Sequence, residues 1–349
     1  MKRPGKRGAS RNWRQIARDL AAQVPLSALH PAVIERAQTM RTDAARERQS
    51  RWAVAFSGGA DSLALLLLLW TWGGERERRR LVALHFNHRL RGRAADADER
   101  FCAEVCAALG VTLVAQRWND PPAKPSEAAA RTARHAFFAR EMKRRRLCVL
   151  WLGHHQDDVA ETMLMRLARG SGTGGLAAPR PVQNVGEHVR LRPLLTLRKA
   201  EIVAALRNAG AVWREDATNA RADFFRNRVR LEVLPAWETA AGRDAVAGAA
   251  LARERLEEDD AALEAWLDEL RAVDECGRLF VDRLAGKPVA LWRRALHRWL
   301  VRVRPKSDLS RQGFEQLLAA VRRGQATRFS LGREAFAVLH AGRLELRKA

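Results

Sequence analysis

Tyrosine is absent from the 349 residues, and cysteine occurs only four times. Cys102, Cys106, Cys148 and Cys276 are too few and too irregularly spaced for a disulfide framework, and none belongs to a CxxC pair or a zinc quartet. They read as small buried hydrophobes of a protein kept in a reducing compartment. No apolar run of about 18 residues is free of charge, so no membrane-spanning helix is expected. Acidic residues are the third shortage. Asp and Glu total 40 against 63 Lys and Arg, a formal net charge of +23. Missing tyrosine beside abundant arginine and alanine points to a biased base composition, yet such bias does not oblige so large a surplus. A polyanionic partner accounts for it better, with nucleic acid ahead of an anionic membrane.

Against these absences stands one dense segment. Trp52–Phe56 is a short apolar run of strand length, followed by Ser57-Gly58-Gly59-Ala60-Asp61-Ser62 and then the leucine-rich Leu63–Leu69. The pattern is a strand, a tight loop, and a buried helix whose N-terminus points into the loop. Backbone N–H groups and the helix dipole favour an anion there. Glycines allow the close approach that a Cβ would block. The serines add hydroxyls, and Asp61 can hold Mg²⁺ against phosphate oxygens. The loop is no Walker A sequence, because no Gly-Lys-Ser/Thr ends it.

Beyond the loop, strand-like and helix-like segments alternate: strands at Leu81–Phe86, Val111–Ala115 and Leu147–Leu152, helices at Asp96–Leu109, Ser126–Arg145 and Asp157–Arg169. That alternation predicts a parallel sheet covered on both faces. Ligands of such sheets sit beyond the strand C-termini, where three polar clusters fall: Ser57–Ser62, His85-Phe-Asn-His88 and Gly153-His-His-Gln-Asp-Asp158. Residues 170–175, Gly-Ser-Gly-Thr-Gly-Gly, read as a flexible loop. A strand at Arg190–Leu194 and a helix at Arg198–Ala209 close the domain. Around Pro235 the character changes to a charged helical connector, about Trp237–Leu270. Helices at Pro288–Val303 and Ser310–Arg323 follow, with short strands near Arg328–Ser330, Ala335–Leu339 and Leu344–Leu346. The division expected is a basic N-terminal extension over 1–50, an α/β domain over 51–235 that carries the loop, and a helical connector with a small second domain over 236–349. The extension carries Lys2, Arg3, Lys6, Arg7, Arg11 and Arg14, then an amphipathic stretch, Trp13–Ala22. It resembles a transit peptide, an RNA-contacting tail or a mis-assigned start. Asp19 and a proline-containing stretch interrupt the pattern and favour the last two.

Gly153-His-His-Gln-Asp-Asp-Val-Ala-Glu161 carries the strongest chemical signal after the loop. Asp158 and Glu161, at i and i+3, can face one way and bind Mg²⁺ or orient a nucleophilic amine. A helix N-cap explains one aspartate but not the whole set. His85 ends the second strand, where it suits a contact to a ligand held by the loop. Glu127 and Arg131, at i and i+4, read by themselves as a surface ion pair. Phe225-Arg-Asn-Arg-Val-Arg230 gathers three arginines suited to phosphates or base edges, though a solvated basic helix would look the same.

Taken together, SGGADS, HFNHRLRG, SEAAAR, GHHQDDVAETMLMRLARGSGTGGLA, RPLL, WREDATN and FRNRVR resemble the tRNA(Ile)-lysidine synthetase family of the pyrophosphatase-loop ATPases, in order and spacing. The resemblance is strong from Arg51 to Pro235 and weaker through Leu279–Arg294 and Leu309–Arg347. It implies an α/β fold, a parallel doubly wound sheet of the adenine nucleotide alpha-hydrolase-like Rossmann type followed by a mostly helical second domain. It also implies ATP and Mg²⁺ as cofactors, and tRNA(Ile) with a CAU anticodon and free L-lysine as partners. Ser57, Gly58, Gly59, Ala60, Asp61, Ser62, His85 and Arg131 would bind ATP, with Asp61 at the metal. Asp61, Asp158, Glu161 and Arg226 would be catalytic. The reaction implied is adenylation of the wobble cytidine's C2 oxygen, followed by attack of the lysine ε-amine to give lysidine, AMP and pyrophosphate. A cytoplasmic protein without membrane contact is expected, and a homodimer is compatible with the reading. A further C-terminal domain carried by longer members is not evident. The rivals are a tRNA thiolase, for which Cys102 and Cys106 are badly spaced, and a small-molecule amidoligase, which would not need +23. A non-catalytic RNA-binding protein is the third, and intact Asp61, Asp158 and Glu161 argue against it.

Overall fold

A computed structural model describes residues 11–42, 51–119, 121–122, 126–215, 224–304, 309–332 and 335–348. The chain divides into two compact units, Met1–Glu254 and Arg255–Ala349. The division falls later than the change of character at Pro235.

The first unit is built on a six-stranded sheet. Its strands are β1 (Arg51–Ala55), β2 (Leu81–Asn87), β3 (Thr112–Arg117), β4 (Leu147–Trp151), β5 (Val182–Val185) and β6 (His188–Leu191), in spatial order β3-β2-β1-β4-β6-β5. All neighbours are parallel except β5 and β6, which form an antiparallel hairpin. The predicted strand Arg190–Leu194 thus begins earlier, and Pro193–Thr196 turns into a short 3₁₀ segment because proline has no N–H to give the ladder. From β1 the chain runs outward to β2 and β3, then returns to place β4 on the other side of β1. The switch in strand order lies between β1 and β4, and such a switch opens a crevice at the strands' C-terminal ends.

Helices cover both faces, as expected. One face is packed by α1 (Trp13–Gln23), α3 (Ala60–Trp72), α5 (Arg93–Leu109) and α8 (Lys199–Asn208), with α2 (Pro31–Thr42) also contributing apolar residues. The other face is packed by α6 (Glu127–Arg145), through Phe137, Phe138 and Met142. The leucine run of α3 has no polar stripe, and Leu63 to Leu69 are all buried, so the helix is surrounded by other elements. Asn12 caps α1 by accepting a hydrogen bond from the Gln15 N–H, and Trp13, Ile16, Ala17 and Leu20 are buried. Within 1–50, then, the amphipathic stretch is core-forming helix. Residues 1–10 of the basic segment lie outside the described residues. The short α4 (Glu75–Arg80) bridges α3 to β2. After α7 (Gln156–Leu167), the glycine-rich 170–175 is not all loop, since Thr173–Leu176 makes one helical turn.

Phe225–Arg228 starts helically, widens into a π-helical turn at Val229–Val233 and continues as α9 (Leu234–Ala241). The long α10 (Ala245–Leu270) follows, and the division between the units falls within it. The second unit contains α11 (Val289–Val303), α12 (Arg311–Arg323) and a four-stranded antiparallel sheet. Its strands are β7 (Leu279–Phe280), β8 (Thr327–Ser330), β9 (Ala335–His340) and β10 (Arg343–Lys348), in order β7-β10-β9-β8. Trp299, Leu291 and Leu317 fill its core. No helix among the described residues is long and apolar enough to cross a membrane.

Candidate active site

Just past β1, the Phe56 N–H donates to the Leu84 carbonyl at 2.9 Å and holds the start of the loop to β2. Gly58 then adopts φ +87°, a conformation that L side chains rarely adopt. A Cβ there would also sit 3.2 Å from Cys102 Sγ and 3.3 Å from the Phe101 ring. Ser62 tightens the turn. Its hydroxyl donates to the Gly59 carbonyl at 3.0 Å and accepts from the Ser57 N–H at 3.2 Å, and Ser57 Oγ lies 3.0 Å away. Gly59 caps α3 without a side-chain bond, so the first N–H groups of a thirteen-residue helix face the loop.

β4 delivers the opposing wall. A Cβ at Gly153 would lie 2.9 Å from the Asp61 carbonyl oxygen, so only glycine lets the end of β4 approach the first turn of α3 this closely. His155 caps α7, and its N–H donates to Asp158 Oδ2 at 3.0 Å. Its ring lies 3.5 Å from Asp158 Oδ2, 3.4 Å from Asp157 and 3.8 Å from Asp61. Burial works against a charged His155, but Asp158, Asp157 and Asp61 outweigh it and raise its pKa. Asp157 accepts the Lys199 backbone N–H at 2.8 Å. Burial acts upward on its carboxyl, yet His155, that N–H and Arg198 bring its pKa down to about 2. Asp158, also buried, is lowered by His155 and Arg226.

Three ion-pair groups complete the cleft. Lys199 Nζ donates to both oxygens of Asp61, at 2.6 and 2.7 Å. Arg226 reaches Asp158 at 2.5 Å and Glu161 at 2.7 Å. Arg230 donates to Glu161 at 2.5 and 3.1 Å. Glu161 is fully buried. Its two guanidinium partners come from the turn that widens into the π-helix, a feature found often at functional sites.

Of the residues singled out in the sequence, Ser57, Gly58, Gly59, Ala60, Asp61 and Ser62 form the loop and first turn of α3. Asp158, Glu161 and Arg226 form one network, and His155 lies between it and Asp61. His85 lies beneath the loop, with Nδ1 bonded to the Phe56 carbonyl at 2.9 Å and 3.4 Å from Cys102 Sγ. Burial lowers its pKa more than Phe56, Glu99 and Asp98 raise it. Arg131 belongs to a different group, with Arg190, Arg192 and His154, discussed below. Of the WREDATN motif, Arg214 bonds Asp98 at 2.7 Å, while 216–219 lie outside the described residues. Lys199 was not legible in the sequence: one lysine at a helix start, adjoining Arg198, carries no signal without the fold. Arg230 was quoted within its motif, but nothing there set it apart from Arg228.

A phosphate-sized glycine loop on a helix N-terminus, facing a carboxylate and arginine cluster across a strand-order switch, defines a nucleotide-binding α/β domain. The family model described as a PP-loop domain, of the ATP-binding type, matches residues 30–237. The chain belongs to the PP-loop family. Among curated proteins it is similar to a tRNA(Ile)-lysidine synthase of Geobacter sulfurreducens, 38% identical over 76% of this chain and 58% of that protein. It is likewise similar to a tRNA(Ile)-lysidine synthase of Pseudomonas fluorescens, 39% identical over 64% of this chain and 49% of that one. The chain thus spans about half the length of the curated relatives it matches. Among solved structures, the U34-tRNA thiolase NcsA of Methanococcus maripaludis superposes with a TM-score of 0.49 at 18% identity, over 65% of this chain and 79% of that chain.

Proposed function

We propose that the chain catalyses ATP-dependent lysidine formation at the wobble cytidine of an isoleucine tRNA with a CAU anticodon. The observation that carries this reading is the pairing of a PP-loop with the Asp158–Glu161–Arg226–Arg230 network across one crevice. The identity shared with curated lysidine synthases supports the choice of substrate. In the first step the C2 oxygen of cytosine attacks the α-phosphorus of ATP, and the pyrophosphate leaving group takes the bond's electron pair. In the second, the neutral ε-amine of lysine attacks C2, loses a proton, and AMP departs.

Each group has a role that follows from its chemistry. The Ser57–Ser62 loop and the start of α3 cradle the phosphates. Lys199, Arg226 and Arg230 offset the charge that builds on the leaving groups. Asp61, Asp158 and Glu161 hold these cations in place before substrate arrives. The same cations disfavour a second positive charge nearby and so help the incoming ammonium lose its proton. No group of three metal-ligating side chains occurs among the described residues. Mg²⁺ would be held by Asp61 together with the phosphates of ATP, since this ion takes one or two carboxylates and substrate oxygens. The ion would supply Lewis-acid stabilisation of the phosphates. An unpaired anticodon loop lets the cytosine reach the crevice. A cytoplasmic setting follows from such a substrate.

The two half-reactions separate the steps. With ATP, Mg²⁺ and the tRNA but no lysine, pyrophosphate release is expected once per enzyme-bound tRNA. Adding lysine is expected to release AMP and allow turnover. Pyrophosphate release that ignores the tRNA contradicts the proposal.

A further inference from the structure

A second group of cations borders the crevice. On β6 the alternation of a strand puts Val189 and Leu191 into the core, with His188, Arg190 and Arg192 on the opposite face. Helix α6 packs on that face of the sheet and carries Arg131 and His135 one turn apart. Each nitrogen of the Arg192 guanidinium has an acceptor. It donates to the Arg180 carbonyl at 2.6 Å, to Gln183 Oε1 at 3.0 Å and to His154 Nδ1 at 3.2 Å. Arg190 and His135 are not satisfied in this way. Arg190 Nε and His135 Nδ1 are buried and have no hydrogen-bond partner among the described residues. Burial and then the neighbouring cations lower all of these groups: His135 to about 4 under Arg131 and Arg190, Arg192 to about 10 under Arg190 and Arg131, and Arg190 itself under Arg131. His188 is lowered by burial and Arg190. A buried guanidinium Nε without a hydrogen-bond acceptor, set among other cations, raises the free energy of the empty site, and a bound anion lowers it.

We infer that Arg190, His135, His188 and Arg131 form a second phosphate-binding subsite, beside and separate from the PP-loop. Its ligand is a phosphate oxyanion held by Arg190 and the His135 ring. His154, bonded to Arg192, adjoins His155 of the carboxylate cluster, so a phosphate held here lies next to the reacting centre. An RNA backbone phosphate flanking the reacting base fits the site best, because the PP-loop already serves the triphosphate. That choice of source rests on the proposed function, whereas the phosphate subsite itself does not.

The test has a substrate-independent arm and two that identify the source. In the first, inorganic phosphate is titrated into the protein while the His135 ring signals are followed by NMR. Movement of these signals that is lost in Arg190→Gln and retained in Arg190→Lys is expected. No movement, or the same movement in Arg190→Gln, overturns the subsite. In the second arm, binding of the isoleucine tRNA transcript is expected to weaken about tenfold in Arg190→Gln, and the salt dependence to lose a slope of about 0.9, the share of one phosphate. ATP affinity, measured in the third arm, is expected to stay constant. Weaker ATP binding with unchanged RNA binding would overturn the RNA assignment and give the phosphate to the nucleotide. If the wild-type chain takes the phosphate but not the tRNA, the proposed function fails while the subsite stands.

Discussion

Glu161 is fully buried, with Oε2 accepting from both Arg226 and Arg230 and Oε1 from Arg230. Removing its charge leaves Asp158 as the carboxylate beside both guanidiniums, at 2.5 Å from Arg226 and 3.8 Å from Arg230. Glu161→Gln is therefore expected to cost about 3 kcal/mol of stability, read from urea unfolding, and to lower tRNA-dependent pyrophosphate release about a hundredfold. Unchanged activity would remove the network from the chemistry. Gly153 tests the other wall. Its Cβ would press on the Asp61 backbone at 2.9 Å, which is rigid helix start rather than a yielding side chain. Gly153→Ala is expected to weaken ATP binding at least tenfold with a stability loss of about 1–3 kcal/mol. An alanine variant with normal ATP affinity would show that the wall and the loop move independently.

At the scale of elements, α7 and α8 are tied through Asp157, which accepts the first N–H of α8. Its pKa falls from 3.8 to about 2 on folding, so the unfolded chain binds the proton more readily. The stability this adds is present above about pH 4, and it is lost as pH falls through about 2. Denaturation curves are expected to place Asp157→Asn about 2 kcal/mol below the wild type at pH 6, with the gap narrowing towards pH 3. A gap that ignores pH contradicts the capping role. Helix α1 makes the second case. Leu20 is completely buried, so Leu20→Ala is expected to cost about 3 kcal/mol of stability although it lies far along the chain from the loop.

These elements also show what sequence could carry. The sheet and its helices were legible because alternating apolar runs and caps are local signals: Ser126 does cap α6, accepting the Ala129 N–H at 3.1 Å. Asp158 and Glu161 stand out because carboxylates and histidines concentrate in one short motif, whereas Arg226 is singled out by the family resemblance, its own motif reading equally well as a solvated basic helix. The hairpin strand β5, Val-Gln-Asn-Val, was not, since four residues with two polar ones have no period to read. Lys199 and Arg190 gain their meaning only from partners, or a lack of partners, distant in the chain.

At the scale of the molecule, the charge of +23 is not spread as free cations. In the second unit, Arg294 pairs with Asp260 at 2.6 Å and Glu264 at 2.7 Å, Arg298 pairs with Glu264 and Asp268, and Arg293 with Glu315. These arginines hold α11 to its neighbours. In the first unit, Arg190 Nε stands buried without a hydrogen-bond partner among the described residues. One measurement bears most directly on this account: incorporation of radiolabelled lysine into an isoleucine tRNA transcript with a CAU anticodon, with ATP and Mg²⁺. The account predicts label on that tRNA, none on a methionine tRNA, and loss of label in Asp61→Ala. A folded protein that transfers no lysine to the isoleucine tRNA, or labels both tRNAs alike, would contradict it.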